Sequence, residues 1–215
     1  MEIKLFALLL CLISLSRAAS ISRTDFNEVL KKTGYPAASN SDVYKYFAET
    51  TSKFSREETA MLLSHLLIES AGFVFKEEQA CLRGNRCAGK YKDSVGLPDK
   101  NYHGRGYIQL SWGANYKAAS MGLGMGDKLL RNPELVSQDI KTSMHVSVWY
   151  WEKRVKTRLT GPNKNNFGVT TKAINGIECT NASLRKKAQD RYRIYLKVAE
   201  VLKIQNKAKE NGCYS

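Results

Sequence analysis

The sequence reads Tyr102-His103-Gly104-Arg105-Gly106-Tyr107-Ile108-Gln109-Leu110-Ser111-Trp112-Gly113-Ala114-Asn115-Tyr116 at its most informative point. Glycines let the backbone approach a ligand closely, amides and hydroxyls supply neutral hydrogen-bond pairs, and aromatic rings offer flat faces to sugars. A phosphate loop would instead follow its glycines with Lys and Ser or Thr. The segment therefore favours a neutral polysaccharide, with an aromatic turn packed in the core as the alternative. Residues 104–110 are predicted to form an extended turn or a short strand.

Upstream of this segment, Glu69 stands at the end of a predicted helix. The helix starts with a capping box at residues 55–58 and continues through the apolar stretch 60–68. Glu69 follows His65 by four residues, on an otherwise apolar side. Burial and the negative end of the helix dipole both disfavour the charged form of a carboxyl at this place. Such a carboxyl suits a general acid, and the alternative is a glutamate that reaches solvent at a helix end.

A second pair of carboxyls, Glu77 and Glu78, follows Glu69 by eight and nine residues. Two carboxyls on either side of a glycosidic bond are the basic equipment of sugar hydrolysis, and inverting enzymes hold them about 6.5–9.5 Å apart. Either glutamate could face Glu69 across a cleft, and paired surface glutamates are the alternative.

The chain as a whole is predicted to be mainly helical. Residues 25–32, 41–51, 140–155 and 184–202 show helical patterns besides the helix that leads to Glu69, and few residues favour strands. We expect a helix-rich fold with a small sheet or hairpin. No repeat or linker divides the chain, so one domain is the simplest organisation.

Composition and charge narrow the functional classes. The 215 residues are 43% hydrophobic, which is typical of a globular protein. The formal net charge is +14, and residues 152–215 alone hold 15 Lys or Arg against 5 Asp or Glu. The basic run at residues 185–187 is too short to favour nucleic acid, so we expect a general attraction to anionic surfaces such as cell walls. A solvated basic face is the alternative.

Residues 1–18 have the layout of a secretory signal peptide. One Lys precedes an apolar run of 11 residues from Leu5 to Leu15, and small residues stand before a cut after Ala18. We therefore expect a secreted, single catalytic domain over residues 19–215, without a membrane anchor after signal removal. Asn181 begins a glycosylation sequon.

The cysteine count agrees with export. Four cysteines remain after the predicted cut: Cys81, Cys87, Cys179 and Cys213. An even number in an oxidising compartment predicts two disulfides with three connectivities open. A zinc site is the weaker alternative, because no CxxC pair is present.

Several segments together resemble family-19 glycoside hydrolases, the plant-type and bacterial chitinases. The resemblance lies in residues 104–112, 69–72, 78–79, 132–136, 148–151, 173–179, 190–191 and 212–215, in the order of the family.

The resemblance implies a lysozyme-like, two-lobed helical fold with a central substrate cleft, and endo-cleavage of β-1,4-linked N-acetylglucosamine with inversion. Glu69 is then the acid, Glu78 the base, and Ser111 holds the attacking water with Glu78. The residues expected to line the sugar cleft are Gln109, Asn115, Asn175 and Tyr102. Glu178 and Arg191 are expected to form a charged network near the base. Cys179–Cys213 is the expected bridge, which leaves Cys81–Cys87 as the other. No metal or cofactor is implied, and the expected partner is chitin, bound by a monomer.

The chain also departs from the family pattern. Ile68 stands where a His precedes the acid, Tyr107 replaces a Pro, Ala114 replaces an aromatic residue, and His145 replaces a Lys. Three functions stay open on this basis. They are an inverting endochitinase, a muramidase that cleaves peptidoglycan, and a protein that binds chitin without cutting it. Glu77 remains a rival of Glu78, whose spacing fits the family better.

Overall fold

The computed structural model describes residues 21–82 and 87–214, and these residues fold mainly into helices. The predicted signal peptide, residues 1–18, lies outside the described residues. The α-helices are α1 Arg23–Thr33, α2 Ser41–Thr51, α3 Arg56–Glu69, α4 Gln79–Leu82, α5 Gly113–Gly122, α6 Lys128–Arg131, α7 Leu135–Gln138, α8 Ile140–Tyr150, α9 Phe167–Asn175, α10 Ile177–Thr180 and α11 Arg185–Val201. A π-helical turn, Trp151–Val155, continues α8, and 3-10 turns follow at Lys156–Arg158 and Gly161–Asn163. Among these described helices, none has the length and apolar character needed to cross a membrane.

Helix α3 forms the centre of the core. The Ser55 side chain accepts a hydrogen bond from the Glu58 amide and starts the helix as the capping pattern predicts. Every residue from Thr59 to Leu67 is buried, so the helix is covered on all sides, by α11 and α9 among others. A helix buried all round is an interior helix rather than an amphipathic surface helix. Its last residue, Glu69, is partly exposed, where the core opens to the surface.

The chain turns sharply after α3. Gly72 has a φ of +72°, and a Cβ at this position would lie 2.5 Å from the Cβ of Tyr35. A glycine is therefore required here both by the left-handed backbone and by the close approach of the segment between α1 and α2.

The predicted small β-hairpin or sheet is not present as strands in residues 21–82 and 87–214. Isolated bridges join Glu77 with Arg105, Arg105 with Leu110, and Asn166 with Lys209. Arg105 and Leu110 exchange two backbone hydrogen bonds of 3.1 and 2.8 Å, and the φ angles of Gly106 and Gln109 are +73° and +56°. The chain thus reverses within four residues, which leaves no length for paired strands. The two-lobed arrangement stays a prediction.

Two disulfides close the chain in the pairing that the resemblance implied. Cys81 is bonded to Cys87, and Cys179 to Cys213. The second bridge ties the C-terminal tail to α10. The tail also runs directly against α9, because the Phe167 amide donates to the Lys209 carbonyl over 2.6 Å.

Candidate active site

One cavity of about 610 Å³ gathers most of the predicted site residues. Its walls come from the end of α3, the turn at residues 104–112, α5, α8 and α9. The sequence-predicted residues that line it are Glu69, Glu78, Gln109, Ser111, Asn115 and Asn175. The carboxylates of Glu69 and Glu78 are the only charged side chains among its lining residues. They lie at the two ends of the segment 69–78.

Glu69 is held by an arginine from the far end of the sequence. Its Oε1 accepts a hydrogen bond of 2.6 Å from Nη2 of Arg191, a residue of α11. The sequence indicated only burial and the helix end, both of which disfavour the charged carboxyl. The guanidinium acts in the opposite direction, because a neighbouring positive charge favours the carboxylate.

Arg191 is itself fully enclosed. Burial opposes its charge, but Glu69 and Glu178 raise the pKa of Arg191 above its ordinary value. Glu178 accepts from Nε of Arg191 over 2.7 Å and from Nη2 over 2.9 Å. It also accepts from the Asn175 amide over 2.9 Å. The charged network was expected near the base; it instead contacts Glu69 directly and orients Asn175 in the cavity wall.

Glu78 is fixed in the cavity by two donors. Its Oε1 accepts from the Tyr91 hydroxyl over 3.1 Å, and its Oε2 accepts from the Gly104 amide over 3.2 Å. The Glu78 amide in turn donates to the Gly104 carbonyl over 2.9 Å. Gly104 is closely approached, since a Cβ there would lie 2.8 Å from the Gln109 side-chain oxygen. A side chain at position 104 would therefore displace the side chain of Gln109 in the cavity wall.

Glu77 has a different environment from its neighbour and does not line this cavity. Its Oε1 lies 2.8 Å from Nε2 of His103 and 3.3 Å from Nε of Arg105, which is a buried cation. Successive side chains of an extended segment point to opposite sides. This alternation directs Glu77 to an internal ion pair and Glu78 to the cavity.

Ser111 and the side-chain amides of Gln109 and Asn115 complete the polar wall of the cavity. The Ser111 hydroxyl donates to the Gln109 carbonyl over 3.0 Å, and the Asn115 amide donates to the Ser111 carbonyl over 2.9 Å. A hydroxyl that donates in this way can still accept a hydrogen bond from water. Gln109 and Trp112 both have positive φ angles, +56° and +77°. Backbone conformations of this kind are costly for residues other than glycine and concentrate at functional sites.

The comparisons with known proteins agree with this geometry. The family model described as chitinase class I matches residues 17–163. The chain belongs to glycoside hydrolase family 19.

Three relatives of the family-19 chain illustrate the range of similarity. An endochitinase of Arabidopsis thaliana is 33% identical over 187 residues, which are 83% of this chain and 63% of that protein. A second Arabidopsis protein, named an inactive endochitinase, is 31% identical over 160 residues, 74% of this chain and 55% of that protein. The crystal structure of chitinase C from Streptomyces griseus superposes with a TM-score of 0.69 at 26% identity, covering 92% of this chain and 98% of that one. The chain spans about three fifths of the length of these two curated relatives.

Tyr102 does not line the cavity of the family-19 chain, although the resemblance placed it there. It is 1% exposed, and its hydroxyl donates to the Leu130 carbonyl over 2.7 Å and accepts from the Leu97 amide over 3.1 Å. Its ring meets Tyr116 edge to face. Tyr102 is therefore a core residue that packs against Tyr116 rather than a residue of the cavity wall.

Three other aromatic residues, which the expected list of cleft residues did not include, line the cavity instead. Tyr91, Trp112 and Tyr150 line the cavity, and Trp112 is 44% exposed. Tyr91 meets Trp112 edge to face with ring centroids 5.5 Å apart. Trp112 and Tyr150 both fall inside segments that resemble the family, whereas Tyr91 lies in a loop where the sequence offered no signal.

Glu78 and two nearby cysteines form a group that resembles a set of metal ligands, but the cysteines are not free to bind a metal. One oxygen of Glu78 and the sulfurs of Cys81 and Cys87 lie within 4.8 Å of one another. The two cysteines are bonded to each other, so they have no thiolate to offer a metal.

Proposed function

We propose that the family-19 chain is an endochitinase that hydrolyses β-1,4 linkages between N-acetylglucosamine units with inversion of configuration. The observation that carries the proposal is the shared cavity of Glu69, Glu78 and Ser111. Two carboxyls and a water are sufficient for this reaction, so it requires no metal or cofactor.

The proposed reaction is a single displacement, in which Glu69 acts as the general acid. It gives its proton to the glycosidic oxygen as the bond from that oxygen to the anomeric carbon breaks. Arg191 acts as a positioning residue, because its guanidinium fixes the orientation of the carboxyl and stabilises the charge that the carboxyl gains when the proton leaves.

In the same step Glu78 acts as the general base. The attacking water donates one hydrogen bond to Glu78 and the other to the Ser111 hydroxyl. As the water oxygen bonds to the anomeric carbon from the opposite face, Glu78 takes its proton. Tyr91 and the Gly104 amide keep the charged carboxylate directed at this water.

The cavity suits a neutral N-acetylated sugar. Gln109, Asn115 and Asn175 offer amides that match hydroxyl and acetamido groups, and Trp112 offers an exposed ring to a sugar face. The absence of a basic side chain from the lining residues makes a phosphorylated ligand a poor match.

The stereochemistry of the product tests the mechanism. Chitohexaose is incubated with the protein, and the anomers of the fresh products are followed by NMR. We expect the α-anomer first, because water attacks the face opposite to the leaving group. Early β-anomer would exclude the role assigned to Glu78 as a base.

Substitution of each glutamate tests the assignments. We expect Glu69→Gln and Glu78→Gln to lower kcat by about 10²–10⁴-fold while chitohexaose still binds. Glu77→Gln is the matched control, and we expect it to lower thermal stability through the loss of the charged partner of Arg105, with a much smaller effect on kcat. A Glu69→Gln protein as active as the wild type would contradict the role assigned to Glu69. A wild-type protein that binds chitohexaose without cleaving it would favour the non-catalytic alternative, and one relative is named an inactive endochitinase.

We also propose that the protein is secreted as a monomer after cleavage behind Ala18. N-terminal sequencing of the exported protein and light scattering of the purified protein test these statements. A retained N-terminus or a stable dimer would contradict the corresponding part.

A further inference from the structure

A second cavity of about 600 Å³ adjoins the proposed catalytic centre. Glu69 and Asn175 line both cavities, so the second one begins where the first one ends. One face of α11 forms much of its wall, at positions 187, 190, 191, 194 and 197. These positions recur with helical spacing. Tyr35 and Ile68 contribute aromatic and apolar surface opposite this face.

Most of the charges in the second cavity are already compensated. Arg191 is bonded to both Glu69 and Glu178. Asp190 pairs with Lys186 over 2.8 Å and with Arg193 over 2.8 Å. These pairs leave no carboxylate of the cavity wall without a cation.

The charges that remain are all positive. Lys187 and Lys197 are exposed at the cavity and form no ion pair within residues 21–82 and 87–214. Nη1 of the buried Arg191 has no hydrogen-bond partner among the same residues. Because that atom is enclosed and Arg191 is already paired, the free charges that face the cavity are those of Lys187 and Lys197.

The two cavities therefore differ in the sign of their electrostatic potential. The first is lined by two carboxylates and no basic side chain, so it repels an anionic sugar. The second presents two unpaired lysines on a face next to the same Glu69. A glycan with an acidic unit can occupy both cavities only with that unit in the second one.

We propose that the second cavity binds a sugar unit that carries a carboxylate, so that this chain accepts acidic glycans with the acidic unit on one side of the scissile bond. The proposal rests on the role of Glu69 at the point of cleavage. Lys187 and Lys197 are the residues that determine this specificity, and the ring of Tyr35 offers a face to the sugar.

The test compares two double variants. Lys187→Gln/Lys197→Gln removes both unpaired charges from the cavity. Lys53→Gln/Lys153→Gln is the matched control, because it removes the same charge from two exposed positions that line neither cavity. Each protein is assayed on chitohexaose, on peptide-free strands of alternating N-acetylglucosamine and N-acetylmuramic acid, and on oligosaccharides of alternating N-acetylglucosamine and glucuronic acid.

We expect the cavity variant to weaken acidic substrates selectively. Its KM for a carboxylate-bearing strand should rise by about tenfold at low salt, and the difference should shrink at 0.5 M salt because the charges are screened. KM for chitohexaose should stay within about twofold of the wild-type value, since neither lysine lines the first cavity. The control variant should match the wild type on all substrates.

Binding separates this inference from the proposed function. Glu78→Gln is used as the blocked protein, because Glu78 lines only the first cavity. If the wild type leaves chitohexaose intact but Glu78→Gln binds an acidic strand in a lysine-dependent way, the chitinase proposal fails and the cavity proposal stands. Cleavage of chitohexaose without lysine-dependent binding of either acidic strand overturns the cavity proposal alone. Binding of only the muramic or only the glucuronic strands identifies a lactyl or a ring carboxylate as the group recognised.

Discussion

Nη2 of Arg191 lies 2.6 Å from Oε1 of Glu69, although 122 residues separate the two in the sequence. The contact joins the last long helix to the exposed end of the central helix. The Arg191 side chain is 2% exposed and the Glu69 side chain 15% exposed, so most of the contact is shielded from solvent. The position of the proposed acid is therefore decided by the docking of α11 as well as by α3.

Arg191→Met should destabilise the fold strongly. It leaves Glu69 and Glu178 without their common cation, and removal of one partner from a buried ion pair costs about 3–5 kcal/mol. Urea denaturation followed by circular dichroism measures the loss. Arg193→Met on the same helix is the control, because its ion pair is exposed and the expected change is within about 0.5 kcal/mol. Equal midpoints for the two variants would contradict the structural role of Arg191.

Tyr91→Phe should weaken catalysis without loss of folding. Burial and the neighbouring Glu78 raise the pKa of Tyr91 to about 12, so the hydroxyl stays a donor throughout the neutral range. The variant keeps the ring that meets Trp112 and removes only the hydrogen bond to Glu78. A hydrogen bond to a charged group contributes about 1.5–3 kcal/mol, so we expect kcat/KM to fall by about tenfold or more.

The split between kcat and KM distinguishes this effect from a packing defect. Loss of the hydroxyl removes one of the two donors that orient the Glu78 carboxylate, so kcat for Tyr91→Phe should fall while KM for chitohexaose stays near the wild-type value. Tyr46→Phe, at a position that does not line the cavity, should keep both values. A lower thermal midpoint for Tyr91→Phe with an unchanged kcat would argue for a packing role instead.

Asp93→Ala should produce a pH-dependent loss of stability. Burial acts to raise the pKa of Asp93, but the amides of Ala114, Gly96 and Val95 outweigh it and lower the pKa below the ordinary 3.8. The stabilisation that the charged Asp93 side chain provides is therefore complete above pH 3.8. It is lost as the pH falls through the lowered pKa of Asp93 in the folded protein.

Chemical denaturation at a series of pH values checks this prediction. The free energy of unfolding of Asp93→Ala should be lower than that of the wild type by about 1 kcal/mol near neutral pH, and the gap should close on acidification. Asp99→Ala serves for comparison, because Asp99 is exposed and pairs only with Lys100 at 3.7 Å. A gap that widens in acid would show that the sign of the shift is wrong.

The two disulfides should differ in their contribution to stability. The closed segments have sequence separations of 34 for Cys179–Cys213 and 6 for Cys81–Cys87. Chain entropy then gives about 3.8 and 2.2 kcal/mol for the two bridges. Double Ser variants, compared by thermal denaturation, should rank in that order, and the reverse order would indicate that strain or residual structure dominates.

Local signals predicted the helices well. The bounds of α2 coincide with the predicted 41–51, and α11 differs from the predicted 184–202 by one residue at each end. Ser55 caps α3 as expected, because a cap depends on residues only three positions apart. Residues 104–110, predicted as an extended turn or a short strand, form a turn, because the positive φ angles of Gly106 and Gln109 reverse the chain too tightly for strands. The small sheet or hairpin expected elsewhere in the fold is not confirmed among the described residues.

Side-chain placement at the candidate site was predicted only in part. Six of the expected residues line one cavity, but Tyr102 is a core residue and Tyr91 is the tyrosine that contacts Glu78. No periodic pattern distinguishes these two tyrosines, since each lies in an irregular segment. The burial of Tyr91 and Tyr102 depends on how the loop at residues 87–101 packs against the rest of the fold.

The sequence by itself determined the family and the helical class, because these rest on short-range patterns and on motif order, and it left Glu77 and Glu78 as rivals. Tertiary structure alone decided that Glu78 rather than Glu77 enters the cavity and that Arg191 holds Glu69. It also decided that Lys187 and Lys197 line the neighbouring cavity without an ion pair to any residue in 21–82 or 87–214. These relationships join segments far apart in the chain, and their energies come from burial and charge pairing. Both quantities exist only once the helices have docked.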